Sequence, residues 1–305
     1  MDRRHFLTAL IGTPAIALVV AACGDDRLVG GTGPATTGPA TTVPGTTGPG
    51  TTAPPSTVPA GFDHPFGADQ FVVRISYAGG FVGPNYDFVR YPSFLVTGDG
   101  RAVQTGAVPA VYPGPLLPPL LERTIDEAGV QALLAAADDA HLLGPAPDYS
   151  AAENYVADAA DTVVEIHANG ATYVHRCYAL EFPPPTGGTE TAARKNLAAF
   201  VALMTDLEKA AGAVHLGGIG PVHATSYRVQ ATPVDPASYG EPKPTVVDWP
   251  AGTGLTLADA SKCSTVDAAK VTDLFASANQ LTFFRDGKVV YLVTAVPQLP
   301  GDITC

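Results

Sequence analysis

Three groups of side chains have the types and spacing to do chemistry. The first is His175 and Cys177, two residues apart in a β-rich run. Alternation along a strand puts both on one face. An imidazole and a thiolate placed that way could supply two of the four ligands of a zinc ion. Further ligands are required and none stands nearby in sequence. The commoner role of such a pair is a hydrogen-bonded core histidine beside a buried thiol. The second group is the acidic run Asp148, Glu153, Asp158 and Asp161. Carboxylates on a loop suit a hard cation such as calcium, and a solvated acidic loop has the same composition. The third is aromatic and proline-rich: Tyr77, Phe81 and Tyr86 in one segment, Tyr112 in the segment Val111 to Pro119. Rigid loops bearing exposed rings make good recognition surfaces; packing against a sheet is the competing role. No Gly-x-Ser-x-Gly elbow, Ser-x-x-Lys, His-Glu-x-x-His, Cys-x-x-Cys, P-loop or EF-hand loop occurs. Gly217-Gly218-Ile219-Gly220 lacks the spacing of a dinucleotide fingerprint. The sequence thus nominates no catalytic residue, no metal ligand set and no cofactor.

The elements that must position these groups follow from turn chemistry and periodicity. Asp99-Gly100, Asn169-Gly170 and Asp286-Gly287 each sit between β-rich runs. Type I′ turns require φ > 0 at both central residues, which is why these dipeptides favour hairpins. A two-residue turn at Asn169-Gly170 sets Ile166 opposite Tyr173, Val164 opposite His175 and Thr162 opposite Cys177. Phe71 to Tyr77 and Tyr227 to Gln230 read as further strands. Thr124-Ile125-Asp126-Glu127 has the form of a capping box ahead of an apolar stripe Val130, Leu133, Leu134, Ala137. Leu197, Phe200, Val201, Met204 and Leu207 mark a second helix ending at Gly212, and Val271, Leu274, Phe275 and Ala278 a third. Hairpins interspersed with helices predict an α+β fold. The Gly-rich stretch Gly212 to Gly220 predicts a boundary between a larger α+β unit, 61–212, and a smaller one, 213–305. Both aromatic loops flank the first hairpin. They are expected to leave the sheet at the end away from Asp99-Gly100 and to form one contact surface of Tyr77, Phe81, Tyr86 and Tyr112.

Composition excludes several classes. The chain has 305 residues, 46% hydrophobic, with a net charge of −12. An acidic surface repels nucleic acid, whose recognition needs a basic face. Four cysteines are too few for a disulfide-dense scaffold. All but three of the 17 basic and all but three of the 29 acidic residues lie beyond residue 60, so the folded part carries the whole −12.

The N-terminus carries the most specific signal. A charged head, Met1 to Leu7, precedes an apolar stretch, Ala9 to Ala22, that is too short to cross a hydrocarbon core of ~30 Å comfortably. Arg3-Arg4-His5-Phe6-Leu7 resembles the twin-arginine export signal, although Asp2 and Thr8 depart from its usual flanks. Val20-Ala21-Ala22-Cys23 resembles a bacterial lipobox. That resemblance implies a signal peptide over 1–22, cleavage before Cys23 and a diacylglycerol on its thiol. From Gly33 the chain repeats in fives as GPATT, GPATT, VPGTT, GPGTT and APPST, with no charge between Leu28 and Ala60. Such a segment cannot bury enough apolar surface to offset ordering. Residues 23–60 therefore read as a lipidated cysteine and an extended tether with a reach on the order of 100 Å. Its paired threonines are compatible with O-glycosylation.

With Cys23 acylated, three cysteines remain in an oxidising compartment. Cys177 lies on the apolar face of a strand, which leaves Cys263 and Cys305 to form a disulfide. The stretches Phe71 to Tyr112 and Ala278 to Cys305 resemble exported actinobacterial proteins with no assigned activity, a likeness of turns and packing residues that transfers no catalytic role. Together these observations predict a lipoprotein on the extracytoplasmic face of the cell membrane. It would be held there by its lipid and act as a binding or scaffolding module toward an envelope protein or glycan. An exported enzyme, such as a hydrolase, whose groups come from distant segments is the alternative.

Overall fold

β-Branched and aromatic runs punctuated by tight turns dominate the chain after residue 70, and the computed structural model pairs them into two sheets. It describes residues 61–83, 86–149, 156–182 and 190–305. The first sheet contains β1 (Phe71–Ala78), β2 (Phe94–Thr97), β3 (Arg101–Thr105) and β4 (Leu120–Thr124). β5 (Asp161–Ala168), β6 (Ala171–Tyr178) and the two-residue β7 (Gly220–Pro221) complete it. Its order is β6-β5-β1-β2-β3-β4-β7, antiparallel throughout. The second sheet contains β8 (Ser226–Pro233), β9 (Thr245–Asp248), β10 (Ser264–Asp267), β11 (Thr282–Asp286) and β12 (Val289–Pro297), in the order β10-β8-β12-β11-β9. Only β9 and β11 run parallel.

This architecture corrects the expected α+β class: the protein is mostly β. Among the described residues the α-helices are α1 (Tyr86–Val89), α2 (Glu127–Asp139), α3 (Ala192–Met204) and α4 (Thr272–Ser277), of four, 13, 13 and six residues. The three helical stripes read from the sequence are present, but the third is under two turns long. The strands that tip the balance carry weak signals. β4 follows Pro118-Pro119 and contains Glu122 and Arg123, while β9 and β10 are four residues each. The capping box is also shifted. Thr124 ends β4, and the cap of α2 is Asp126, whose carboxylate accepts from the Gly129 N–H at 2.9 Å.

α2 and α3 cover one face of the first sheet, burying Leu133, Leu134, Leu197 and Phe200 against Ile75, Val164 and Ile166. The opposite face buries Phe71, Leu95, Val103 and Leu120 with Leu299, which follows β12. In the second core, the rings of Tyr227, Trp249, Phe275 and Phe284 meet edge to face around Val229 and Val293. The described residues belong to one compact unit, Ser56–Cys305. A buried carboxylate joins the sheets. Asp302 accepts from Arg74 of β1 at 3.0 Å and from Arg228 of β8 at 3.3 Å, and Arg74 also donates to Glu165 of β5 at 3.0 Å.

Cys263 and Cys305 form the expected disulfide, with Cα atoms 5.2 Å apart, and Cys177 is a buried free thiol. At Asn169-Gly170 both residues take left-handed φ, +53° and +71°, as a type I′ turn requires. The register is the expected one, with Val164 opposite His175 and Thr162 opposite Cys177. At Asp99-Gly100 only the glycine has positive φ, so that turn is not type I′. Residues 1–60, with Arg3, Arg4, Phe6, Leu7 and Cys23, lie outside the described residues. Among the described residues, no helix is long and apolar enough to cross a membrane.

Candidate functional site

The β5–β6 hairpin places His175 and Cys177 on its inner face, beneath α3. His175 Nε2–H donates to the Leu142 carbonyl at 2.8 Å, and the Tyr149 hydroxyl donates to Nδ1 at 2.7 Å. Arg194 of α3 donates to Cys177 Sγ at 2.9 Å and to the carbonyls of Tyr178 and Ala179. His175, Cys177, Arg194 and Tyr149 are 0%, 1%, 3% and 6% exposed, so the network is closed to solvent. Burial pushes the His175 pKa below its ordinary range, pushes the Cys177 thiol up against the pull of Arg194, and raises Tyr149 to about 12. A neutral imidazole and a protonated thiol are the reverse of an activated nucleophile pair. The cluster is structural: each buried polar atom has a partner, and the partners join the segment after α2, β6 and α3.

Three of the four acidic residues are described. Asp161 pairs with Arg176 at 2.8 Å, Asp148 and Asp158 are exposed, and Glu153 lies outside the described residues. Among the described residues no group of three or more His, Cys, Asp or Glu could hold a metal ion. Glu165 is engaged by Arg74, and His223 is paired with Glu122.

The aromatic loops take up distinct positions. β1 ends at Ala78, beside Asp161 at the start of β5; β3 ends at Thr105, opposite Leu120 at the start of β4. Both loops therefore leave the same end of the first sheet, away from Asp99-Gly100. Phe81 and Tyr112 are 90% and 71% exposed, while Tyr77 and Tyr86 are half-buried. Burial, and then the Glu181 carboxylate that accepts from the Tyr77 hydroxyl, raise the Tyr77 pKa. Val82, Val108, Val111 and Phe182 are exposed on segments that leave this same end. The loops diverge beyond it. Phe81 N–H donates to the Asp158 carbonyl, whereas Gly114 and Leu116 bond to Gln280 and Ala278 beside the second sheet. Among the described residues no hydrogen bond joins the two loops.

The polypeptide joins the sheet at the opposite end. Asn169 N–H donates to the Asp63 carbonyl at 2.7 Å, and Gly98 N–H to the Gln70 carbonyl at 2.9 Å. Residues 61–70 thus run past the hairpin turns. The eight residues of β1, roughly 26 Å of extended chain, separate them from the exposed rings.

Clefts of about 360, 330 and 220 Å³ occur at the Arg101–His223 junction, beside His64 and His167, and between Tyr77 and Met204. The buried His175–Cys177 cluster lines none of these three. Sequence reasoning missed Arg194 and the Arg74–Asp302–Arg228 bridge, because an isolated arginine ordinarily marks a solvated position. The spacing of Arg194 within the apolar stripe, three residues before Leu197, was the one available signal. Compared with protein-family models, with curated proteins and with solved structures, the chain finds no match in any of the three.

Proposed function

We propose that this protein is a lipid-anchored envelope lipoprotein, exported through a twin-arginine-like signal and attached to the extracytoplasmic face of the membrane by Cys23. Its folded part acts as a binding module. One observation carries the reading: the chain joins the folded part at the turn end of the first sheet, while the exposed Phe81 and Tyr112 leave the other end. Entry of the chain at the turn end leaves the aromatic end clear of the point of attachment. The tether is uncharged and proline-rich and suits a long spacer. The domain charge of −12 does not favour adsorption to anionic headgroups, so attachment falls to the lipid.

The partner best suited to this end is another protein. Each loop carries a ring beside an exposed aliphatic neighbour, Phe81 with Val82 and Tyr112 with Val111, a pairing that suits a protein-type contact. Photocrosslinking in the envelope tests this. A photoreactive phenylalanine at Phe81 or Tyr112 of the full chain should give protein-sized adducts, and the same group at Asp69 should not. Equal yields from both ends, or adducts from Asp69 alone, would refute the assignment. Adducts only with glycan would change the partner class.

A further inference from the structure

We infer that the outer edge of β6 pairs with the same edge of a second copy, joining two seven-stranded sheets about a two-fold axis at Val174. Among the described residues β6 is a sheet edge that pairs as a strand only with β5, in unbroken register over all eight residues. The two-residue turn makes Ala168 and Ala171 a hydrogen-bonded pair, and alternation does the same for Tyr173, His175 and Cys177. Thr172, Val174, Arg176 and Tyr178 therefore direct their N–H and C=O groups away from β5. The contact from Arg194 Nη1 to the Tyr178 carbonyl lies on that outer side, as this parity requires. No described residue bonds the outward groups of Thr172, Val174 or Arg176.

An open strand edge is an invitation to pair, and proteins usually blunt it. The other three edges are blunted: β7 is two residues with a proline, β9 is four residues flanked by Pro244 and Pro250, and β10 is four residues directly after the disulfide. β6 has eight residues with no proline, glycine or bulge. Its one guarding charge, Arg176, is drawn back onto its own sheet by Asp161 at 2.8 Å.

The occupant follows from the symmetry of the open window. That window is bounded by the turn at Asn169-Gly170 on one side and by the Arg194-bound Tyr178 on the other, and its centre is Val174. Antiparallel pairing about Val174 sets Val174 opposite Val174, and Thr172 opposite Arg176 of the second copy. Every outward N–H and C=O at the three positions then gains a partner, and no like charges face each other. Val174 is 48% exposed, so the contact also buries an apolar side chain. Each copy carries −12, so repulsion opposes the pairing and salt should strengthen it, the reverse of an ion-paired interface. This inference stands on the folded part alone and does not depend on the lipid anchor.

The test uses the full chain with Cys23→Ser, and engineered cysteines to report the register. Hydrogen-bonded antiparallel partners have Cα atoms ~5.5 Å apart, within disulfide range, while displaced positions are not. Under mild oxidation Val174→Cys should form a covalent dimer about tenfold faster than Thr172→Cys or Arg176→Cys alone, and the double variant Thr172→Cys/Arg176→Cys should also cross-link. In sedimentation velocity the parent should dimerise more strongly in added salt. Val174→Asp, which puts two carboxylates face to face, should stay monomeric with an unchanged melting temperature. A parent that is monomeric at all salts, or a Val174→Cys that cross-links no faster than Thr172→Cys, overturns the proposal.

Discussion

Tyr149 and His175 show how a residue's surroundings decide its chemistry. His175 faces a hydroxyl on one nitrogen and a carbonyl on the other, which fixes a neutral ring with its proton on Nε2. Burial lowers its pKa from the usual 6.5. Below that value the unfolded chain therefore takes up a proton that the folded chain resists. The linked stability is whole above about pH 6.5 and is lost as pH falls from there through the folded pKa. An NMR titration of the His175 ring should show a midpoint below 6.5; a midpoint at or above it would refute the buried, neutral assignment. Tyr149→Phe should cost about 1–3 kcal/mol in denaturant melts, because it leaves Nδ1 buried without a partner. Asp302→Ala should cost more, roughly 3–5 kcal/mol, since it strands the Arg228 guanidinium, which is 1% exposed. The His175–Cys177 pairing was legible because strand parity and the Asn-Gly turn determine it. Arg74, Arg228 and Asp302 were not, because their meeting depends on how two sheets, more than 70 residues apart in sequence, come together.

At the scale of elements, the disulfide and the C-terminal tail act together. Cys305 closes a loop with Cys263 across a sequence separation of 42, and the tail between β12 and Cys305 supplies both Leu299 and Asp302 to the first sheet. Cys305→Ser should lower stability by up to ~4 kcal/mol in the chain-entropy account. It should also speed amide exchange at Leu299 and Asp302 before the rest of the molecule, which hydrogen-exchange mass spectrometry would read. This bridge was legible from cysteine count and strand placement. Three of the helices were legible too, since apolar stripes at i, i+3, i+4 and i+7 are strong signals; α1, four residues long, has no such stripe. The β-rich balance was not: four-residue strands such as β9 and β10 gain their identity from neighbours in the sheet, and β4 borrows its own from β3 and β7. Local sequence carries little of that information.

For the whole molecule, the proposed function requires polarity: chain entry at the turn end of the first sheet and partner binding at the other. Exposed Phe81 and Tyr112 contribute little to folding, so Phe81→Ala with Tyr112→Ala should leave the melting temperature within about 2 °C of the parent while reducing the photocrosslinked adducts. That the two aromatic loops leave one sheet end was legible from the turn of the first hairpin. Their divergence beyond it, one toward Asp158 and one toward Gln280, was not, because it depends on the position of the second sheet. The anchor is the premise on which this polarity turns, and the mass of the mature N-terminal peptide tests it most directly. A lipoprotein should yield a chain beginning at Cys23 with diacylglycerol on its thiol; a mature chain that retains Met1, or begins elsewhere with Cys23 unmodified, would contradict the proposed anchor.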